Sequence, residues 1–291
     1  MNTIKQEHSR AKEDEIYLSR GSSFQYKVYF FGPFRILRGK HVLEEPAWRR
    51  NKAKTLLKWF VLNPGVMFSA DQLVKLFWPH ITRTAGLRNL HVTINYLRHI
   101  LEPDLPARQE SSFIRRSKNN FYCFEMDETW WSDLFDIHYH VSAAKEAEQR
   151  RDTMALFYHY HTITSYCYLE FLPEDTYDDT FCAYRRKYDI INAQVLEKLI
   201  HLCTHLEKFD EAFVYSQRVL SSDPYCESAV KAIIQIFLQQ GNIPGAIRKI
   251  DDFQKLLQQD LGINPSDDLL SLRKNILIAA PKSRSLLKKT S

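Results

Sequence analysis

The sequence predicts a mainly α-helical protein with a small β component, built from two parts of different kind. Short aromatic and β-branched segments separated by turn residues occur only before about residue 132, whereas apolar residues recur at helical spacing in the rest. The charge is divided in the same way: residues 26–127 hold 17 Lys and Arg against 8 Asp and Glu, and residues 128–281 hold 15 against 23. A basic part beside an acidic part favours a polyanion-binding module joined to a module of another kind, with chance as the competing explanation.

Three short strands are predicted near the start of the chain. Residues 1–23 lack hydrophobic periodicity and are predicted to form a disordered tail. Tyr26–Phe31 is aromatic and β-branched and ends at a Gly-Pro pair, Phe34–Leu37 follows, and a turn at Arg38–Lys40 leads into His41–Leu43. This pattern indicates a small antiparallel sheet.

Three helices are predicted after these strands. The first spans Asn51–Leu62, the second begins after Ser69 as its N-cap, and the third spans Gly86–Leu101. Each is stopped by a proline that follows shortly. The apolar sides are formed by Ala53, Leu56, Leu57, Phe60 and Val61 in the first helix and by Leu73, Leu76 and Phe77 in the second.

The third helix has two faces of different chemistry. Its apolar residues, at positions 87, 90, 94, 97 and 101, are spaced to form one stripe. The other face has no acidic residue and suits the phosphate oxygens and base edges of a DNA major groove. The competing interpretation is the solvated outer face of an ordinary core helix. This second face is formed by Arg88, Asn89, His91, Thr93, Asn95, Tyr96 and Arg98.

A hairpin is predicted beyond the third helix. Two apolar segments, ending at Arg116 and beginning at Phe121, flank Ser117–Asn120, whose asparagines tolerate positive φ. Strands, three helices and then a hairpin follow one another in the order of a winged helix-turn-helix, in which the third helix enters the DNA groove and the hairpin, or wing, contacts the adjacent backbone. We assign residues 24–127 to this domain.

The remainder is predicted to be an α-helical tetratricopeptide-like repeat domain at residues 128–277, followed by a basic flexible tail at 278–291. Glu207–Ala212 recurs as Gly241–Ala246, a shift of 34 residues that is the tetratricopeptide period. Ala212 and Ala246 are the small residues expected where paired helices approach closely. Two full helix pairs and a degenerate pair before them would form a short solenoid that binds a partner or regulator.

The motifs in this order resemble a known family. The chain is similar to bacterial transcriptional activators of the antibiotic-regulatory-protein type, which join an OmpR-type winged helix to a tetratricopeptide-like bacterial transcriptional activation domain. The resemblance covers roughly residues 26–275. It rests on Phe31-Gly32-Pro33-Phe34, Trp48–Ala53, Leu73 with Phe77-Trp78-Pro79, Asn89–Ile94 with Leu97-Arg98, Tyr168–Pro173, Tyr184-Arg185-Arg186 and Leu261–Ser266.

The resemblance implies a DNA interface and its partners. Double-stranded DNA is the expected ligand, RNA polymerase or another transcription factor the expected protein partner, and side-by-side protomers on DNA imply a homodimer. The implied DNA-binding residues are Arg49, Arg50 and Lys52 around the first helix, Arg88, Asn89, His91, Asn95 and Arg98 on the third helix, and Arg115, Arg116 and Lys118 on the wing.

Departures from the family pattern keep a second function open. Position 96 is Tyr where the family usually has Arg, and Asn119 and Asn120 replace the usual wing glycines. A winged helix with weak DNA binding would fit an adaptor that binds a nucleotide second messenger such as cyclic di-GMP and controls a partner transcription factor. Its ligand would stack on aromatic rings and pair with arginines, at Arg115, Arg116, Tyr122, Arg185 and Arg186. A third hypothesis is a scaffold built on the repeats.

No catalytic or metal-binding motif is found in the sequence. The sequence contains no phosphate-binding glycine loop or nucleophile elbow, and the acidic cluster at Glu174–Asp179 is predicted to cap a helix. Two His-x-His motifs, at His138–His140 and His159–His161, lack a third ligand at metal-binding spacing, and the five cysteines show no CxxC pair. We therefore predict a non-enzymatic, cytoplasmic transcription regulator without cofactor, metal or membrane segment.

Overall fold

The computed structural model describes residues 24–43, 51–106 and 108–279, and they form two compact units. The first comprises the residues up to Phe135 together with Leu172–Phe181, and the second comprises Asp136–Phe171 and the residues from Cys182 onward. The predicted tail at 1–23 and all but the first two residues of the predicted tail at 278–291 lie outside the described residues. The domain boundaries at 127/128 and 277/278 stay predictions.

Within the described residues, the first unit contains two small sheets. One has the strand order β3-β2-β1-β7 and the other β4-β6-β5. The strands are β1 (Tyr26–Tyr29), β2 (Arg35–Arg38), β3 (His41–Val42), β4 (Phe68–Ser69), β5 (Ile114–Arg116), β6 (Phe121–Phe124) and β7 (Trp130–Ser132).

The predicted antiparallel sheet is confirmed and gains a parallel strand. β1 pairs with β2, and β2 with β3, both antiparallel. β7 pairs with β1 in parallel, with Tyr26 opposite Trp130, and the two rings stack with their centroids 4.3 Å apart. Sequence reasoning missed β7 because it has three residues and its partner lies a hundred residues earlier.

Three helices among the described residues of the first unit begin and end close to their predicted positions. They are α1 (Asn51–Leu62), α2 (Ala70–Phe77) and α3 (Arg83–Leu101). Ser69 caps α2 in a capping box, in which its hydroxyl accepts the Gln72 N–H at 3.2 Å and the Gln72 side chain accepts the Ser69 N–H at 2.8 Å. α3 begins three residues earlier than predicted because the Thr82 hydroxyl caps the Ala85 N–H at 3.4 Å.

Two predicted face assignments are wrong. Leu76 is 37% exposed, whereas Thr93, which we placed on the outer face of α3, is 3% exposed. Thr93 is buried because the buried stripe of α3 is wider than the leucine spacing alone indicates. The stripe includes Gly86, Leu90, Thr93, Ile94, Leu97 and Leu101.

Gly86 permits the close approach of α3 to α2. A Cβ atom at this position would lie 2.3 Å from Val74 Cγ1. We expect Gly86→Ala to lower the free energy of unfolding by about 1–2 kcal/mol, because the overpacking exceeds the gain in helix propensity. Urea unfolding measures the change. The same substitution in a Val74→Ala background should be neutral or stabilising, and an equal loss in both backgrounds would contradict the packing argument.

In the second unit, three pairs of successive helices are joined by the same turn. The helices are α4 (Asp133–Arg150), whose first residues lie in the first unit, α5 (Thr153–Tyr166), α6 (Cys182–His205), α7 (Phe209–Ser222), α8 (Glu227–Gln239), α9 (Ile243–Asp260) and α10 (Asp267–Ala279). Between α4 and α5, α6 and α7, and α8 and α9, one residue adopts positive φ: Arg151 at 56°, Glu207 at 57° and Gly241 at 70°.

Each of these turns closes with the hydrogen bond of a Schellman motif. The N–H groups of Asp152, Lys208 and Asn242 donate to the carbonyls of Ala147, Cys203 and Phe237 at 2.9, 2.8 and 2.7 Å. The last two turns are 34 residues apart, and Ala212 and Ala246 are both fully buried. The predicted repeat, with two helix pairs and one earlier pair, is therefore confirmed.

Candidate nucleic-acid interface

The outer face of α3 presents polar side chains to solvent. Arg88, Asn89, His91 and Asn95 are exposed. They are held outward because Leu90, Ile94, Leu97 and Leu101 on the opposite face are 0–2% exposed. Donors and acceptors thus lie along about two turns of a helix that contains no acidic residue, which suits contacts to base edges and phosphates.

The wing is the hairpin of β5 and β6. Arg115, Arg116 and Lys118 on it are exposed, and Asn120 adopts the predicted positive φ, at 57°. The Arg116 guanidinium donates to the Asn120 side-chain oxygen through Nη2 and, at 3.2 Å, through Nε. Arg116 is therefore fixed along the wing, and Lys118 is exposed in the turn of the hairpin.

Aromatic and basic groups join α3 to the wing. Tyr122 is 2% exposed, the Arg116 guanidinium lies 5.7 Å from its ring centroid, and the His91 ring centroid lies 6.5 Å from it. Burial, with the nearby Arg116 charge, lowers the pKa of His91. This shift favours the neutral form of the imidazole.

Arg98 has an intramolecular partner. It is half-buried, and its Nε and Nη2 both donate to the Ile114 carbonyl, at 3.2 and 2.6 Å. A contact of Arg98 with DNA stays a prediction, but the structure gives the side chain a bond to the backbone of β5 that the sequence did not indicate.

The other predicted site residues are spread over both units. Lys52 is exposed on α1, and Arg49 and Arg50 lie outside the described residues. Arg185 and Arg186 belong to α6 in the second unit and line a shallow depression with Asp189. The Tyr122 ring is buried and covered by Arg116. A nucleotide base could therefore stack on this ring only after the ring became exposed.

The acidic cluster has a role that sequence reasoning missed. We predicted that Glu174 and Asp175 cap a helix, but both bind the ammonium of Lys58, with Glu174 Oε1 at 2.9 Å. Lys58 is 2% exposed. The prediction is therefore wrong for these two carboxylates, because their partner lies more than a hundred residues away in the chain. Asp178 does accept the Thr180 N–H at 2.9 Å.

The two His-x-His motifs meet within the second unit. The Nδ1 atoms of His140 and His159 are 2.8 Å apart, a hydrogen-bond distance, and His138 accepts from Lys187 at 3.1 Å. Within residues 24–43, 51–106 and 108–279, no three His, Cys, Asp or Glu side chains are grouped as metal ligands. Nor does any helix in these same ranges combine the length and apolarity of a membrane span.

Comparisons with known proteins give a family match for each part of the chain. Residues 44–124 match the family described as "Transcriptional regulatory protein, C terminal", and residues 170–277 match the "Bacterial transcriptional activator domain". The fold is similar to the solved structure "Mycobacterium tuberculosis EmbR in complex with low affinity phosphopeptide", with a TM-score of 0.69 and 15% sequence identity. The match covers 87% of this chain and 65% of that chain. No curated protein sequence matches the chain.

Proposed function

We propose that the chain is a non-enzymatic, DNA-binding transcription regulator, because one part of it matches a transcriptional regulatory C-terminal domain and another part a bacterial transcriptional activator domain. The winged helix reads a promoter with α3, and the helical repeats engage RNA polymerase, another regulator or a second copy of the chain. These roles agree with the resemblance and fold class predicted from the sequence, both of which the two family matches confirm.

One observation carries the proposal of DNA binding. The exposed face of α3 and the exposed tip of the wing lie in one unit and carry Arg, Lys, Asn and His but no carboxylate. Positive groups release counterions from DNA phosphates, and asparagine amides can pair with adenine in the major groove. No comparable observation favours a nucleotide second messenger, so that hypothesis stays a prediction of the sequence.

A salt series on duplex DNA tests this function. We expect the logarithm of the association constant to fall steeply and linearly with the logarithm of the salt concentration. Lys118→Ala should weaken binding to all sequences and reduce the magnitude of the slope by about one. Asn95→Ala should leave the slope unchanged and reduce discrimination between sequences.

Arg248→Ala provides a matched control, because Arg248 is an exposed arginine in the second unit. It removes the same charge from the chain without altering α3 or the wing, and should leave both affinity and slope unchanged. Binding that is absent, or that does not respond to salt, would refute the proposed function.

A further inference from the structure

The last turn of α3 holds the chain that leads into the wing. Arg98 and Glu102 stand four residues apart, on the same side of the helix end. Arg98 donates to the Ile114 carbonyl, as described above. The Glu102 carboxylate accepts the Ser111 hydroxyl and, at 2.9 Å, the Ser112 N–H. Both side chains thus bind residues 111–114, which lead into β5 and include its first residue.

Ser111 extends this contact into the buried base of the wing. It is 2% exposed, and its hydroxyl oxygen accepts the N–H groups of Phe113 and Ile114 at 3.3 and 3.0 Å. Ile114 is fully buried. Its N–H is therefore fixed through Ser111 and Glu102, and its carbonyl is fixed by Arg98. We call Arg98, Glu102 and Ser111 the wing clamp.

The charge of Glu102 is unfavourable both for the end of α3 and for DNA binding. A carboxylate at a helix C-terminus opposes the helix dipole, and a carboxylate close to a DNA surface is repelled by phosphate. Arg98 in turn directs two donors at one carbonyl oxygen, which leaves fewer of its N–H groups to point at DNA.

We propose that Arg98 and Glu102 are positioning residues that fix the wing relative to the recognition helix, and that they affect DNA affinity through the wing. This inference rests on the proposed function. It replaces the predicted direct contact of Arg98 with DNA by an indirect role, and it adds Glu102, which no sequence motif indicated.

The sign of the Glu102 effect is the first test. If the clamp positions the wing, Glu102→Ala should lower DNA affinity about tenfold, as expected for the loss of charge-assisted hydrogen bonds, although it removes a negative charge. If Glu102 has no positioning role, the same change should raise affinity. Glu110→Ala removes an exposed carboxylate between α3 and β5 and should leave affinity equal or higher. A rise for both variants would overturn the inference.

A double-mutant cycle is the second test, because coupling is measured by non-additivity. Arg98→Ala should lower affinity in the wild-type chain but have a smaller further effect once Arg115→Ala and Lys118→Ala have removed two of the three basic side chains of the wing. Fully additive effects would show that Arg98 contacts DNA directly and would overturn the inference. Arg98→Lys keeps the charge but loses the two-donor geometry, so it should resemble Arg98→Ala rather than the wild type.

Loss of folding has to be distinguished from loss of DNA binding in each variant. Tryptophan fluorescence reports the first unit, since all five tryptophans lie between residues 48 and 131, and affinities are compared only below each variant's unfolding transition. Should Arg98→Ala unfold the unit, Arg98→Lys and Glu102→Ala enter the same cycle. Wild-type binding with additive substitutions overturns this inference alone, whereas a wild-type chain without salt-dependent binding overturns the proposed function as well.

Discussion

Lys58→Met is expected to lower the free energy of unfolding of the first unit by about 3 kcal/mol, as removal of one partner from a buried ion pair does. Lys58 lies on α1 with its side chain 2% exposed, and it binds Glu174 and Asp175, whose side chains are 32% and 15% exposed. Methionine fills a similar volume, so the loss reflects charge rather than packing. Urea unfolding followed by tryptophan fluorescence measures it.

Hydration of Glu174 reduces the expected loss of stability, and contacts with Phe34 add to it. The partly exposed Glu174 regains some hydration when Lys58 is lost, which places the expected value at the lower end of the range for buried pairs. Glu174 also accepts the Phe34 N–H at 2.9 Å, and the Lys58 ammonium lies 5.0 Å from the Phe34 ring centroid. Loss of Lys58 therefore also weakens the contact of the 172–181 segment with the loop that precedes β2.

Lys54→Met is the matched control. Lys54 lies one turn earlier on α1, and its ammonium is 3.8 Å from the same Glu174 oxygen, with the side chain 25% exposed. This substitution should cost less than about 1 kcal/mol. Adding Glu174→Gln and Asp175→Asn to Lys58→Met should recover part of the loss, since no unpaired charge then remains. Equal losses for Lys54→Met and Lys58→Met would refute a special role for the buried pair.

The same ion pair gives a dependence on pH with a defined sign. Burial acts to raise the pKa of Glu174, but the hydrogen bond and charge of Lys58, together with backbone hydrogen bonds, outweigh it, so the pKa is lowered. A carboxyl group with a lowered pKa in the folded state stabilises the fold at neutral pH and loses this contribution as the pH falls. Lys58→Met should therefore be less sensitive to acid than the wild type.

Local periodicity accounts for most of what the sequence predicted. The buried stripe of α3, the capping box at Ser69 and the positive φ at Asn120 each depend on residues within a few positions of one another. The Schellman turns at Glu207 and Gly241 are local in the same way, which is why a repeat of six residues was enough to locate the helix pairs. The 34-residue shift between the two segments then indicated a tetratricopeptide-like repeat.

Long-range partners account for what the sequence could not predict. Lys58 falls among apolar residues of α1 and resembles a solvated lysine until Glu174 and Asp175 are brought beside it. Arg98 occupies the polar face of a helical pattern, but its direction is set by the Ile114 carbonyl of a strand that follows a loop. Hydrophobic periodicity cannot predict these two contacts, since each depends on where a distant segment of the chain packs.

The pH dependence of Asp133 is the second large effect. Asp133 is 1% exposed, and its Oδ2 accepts the N–H groups of Phe30 and Phe31 at 2.7 and 3.0 Å. Burial raises its pKa to about 7, although hydrogen bonds from these N–H groups, Ser132 and Leu134 oppose the shift. Between pH 4 and 7 the folded chain therefore retains a proton that the unfolded chain has released.

The contribution of Asp133 to stability changes with pH in the opposite direction to that of Glu174. Because the folded state binds the additional proton, the contribution of Asp133 to stability is fully present below about pH 4 and is lost as the pH rises to 7. A raised pKa of this size corresponds to about 4 kcal/mol as an upper limit. Asp133→Asn keeps an oxygen to accept from Phe30 and Phe31 but cannot ionise, so its stability relative to the wild type should increase across this range.

Unfolding free energies of the two chains at several pH values between 4 and 8 test the argument, with their difference removing the contributions of all other groups. Glu128→Gln is the control, because Glu128 is an exposed carboxylate five residues earlier, and its difference from the wild type should stay constant with pH. A constant difference for Asp133→Asn as well would mean that the N–H groups of Phe30 and Phe31 hold Asp133 ionised throughout. Hydrogen bonding would then outweigh burial at this position, and Asp133 would act as a permanent negative charge at the start of α4.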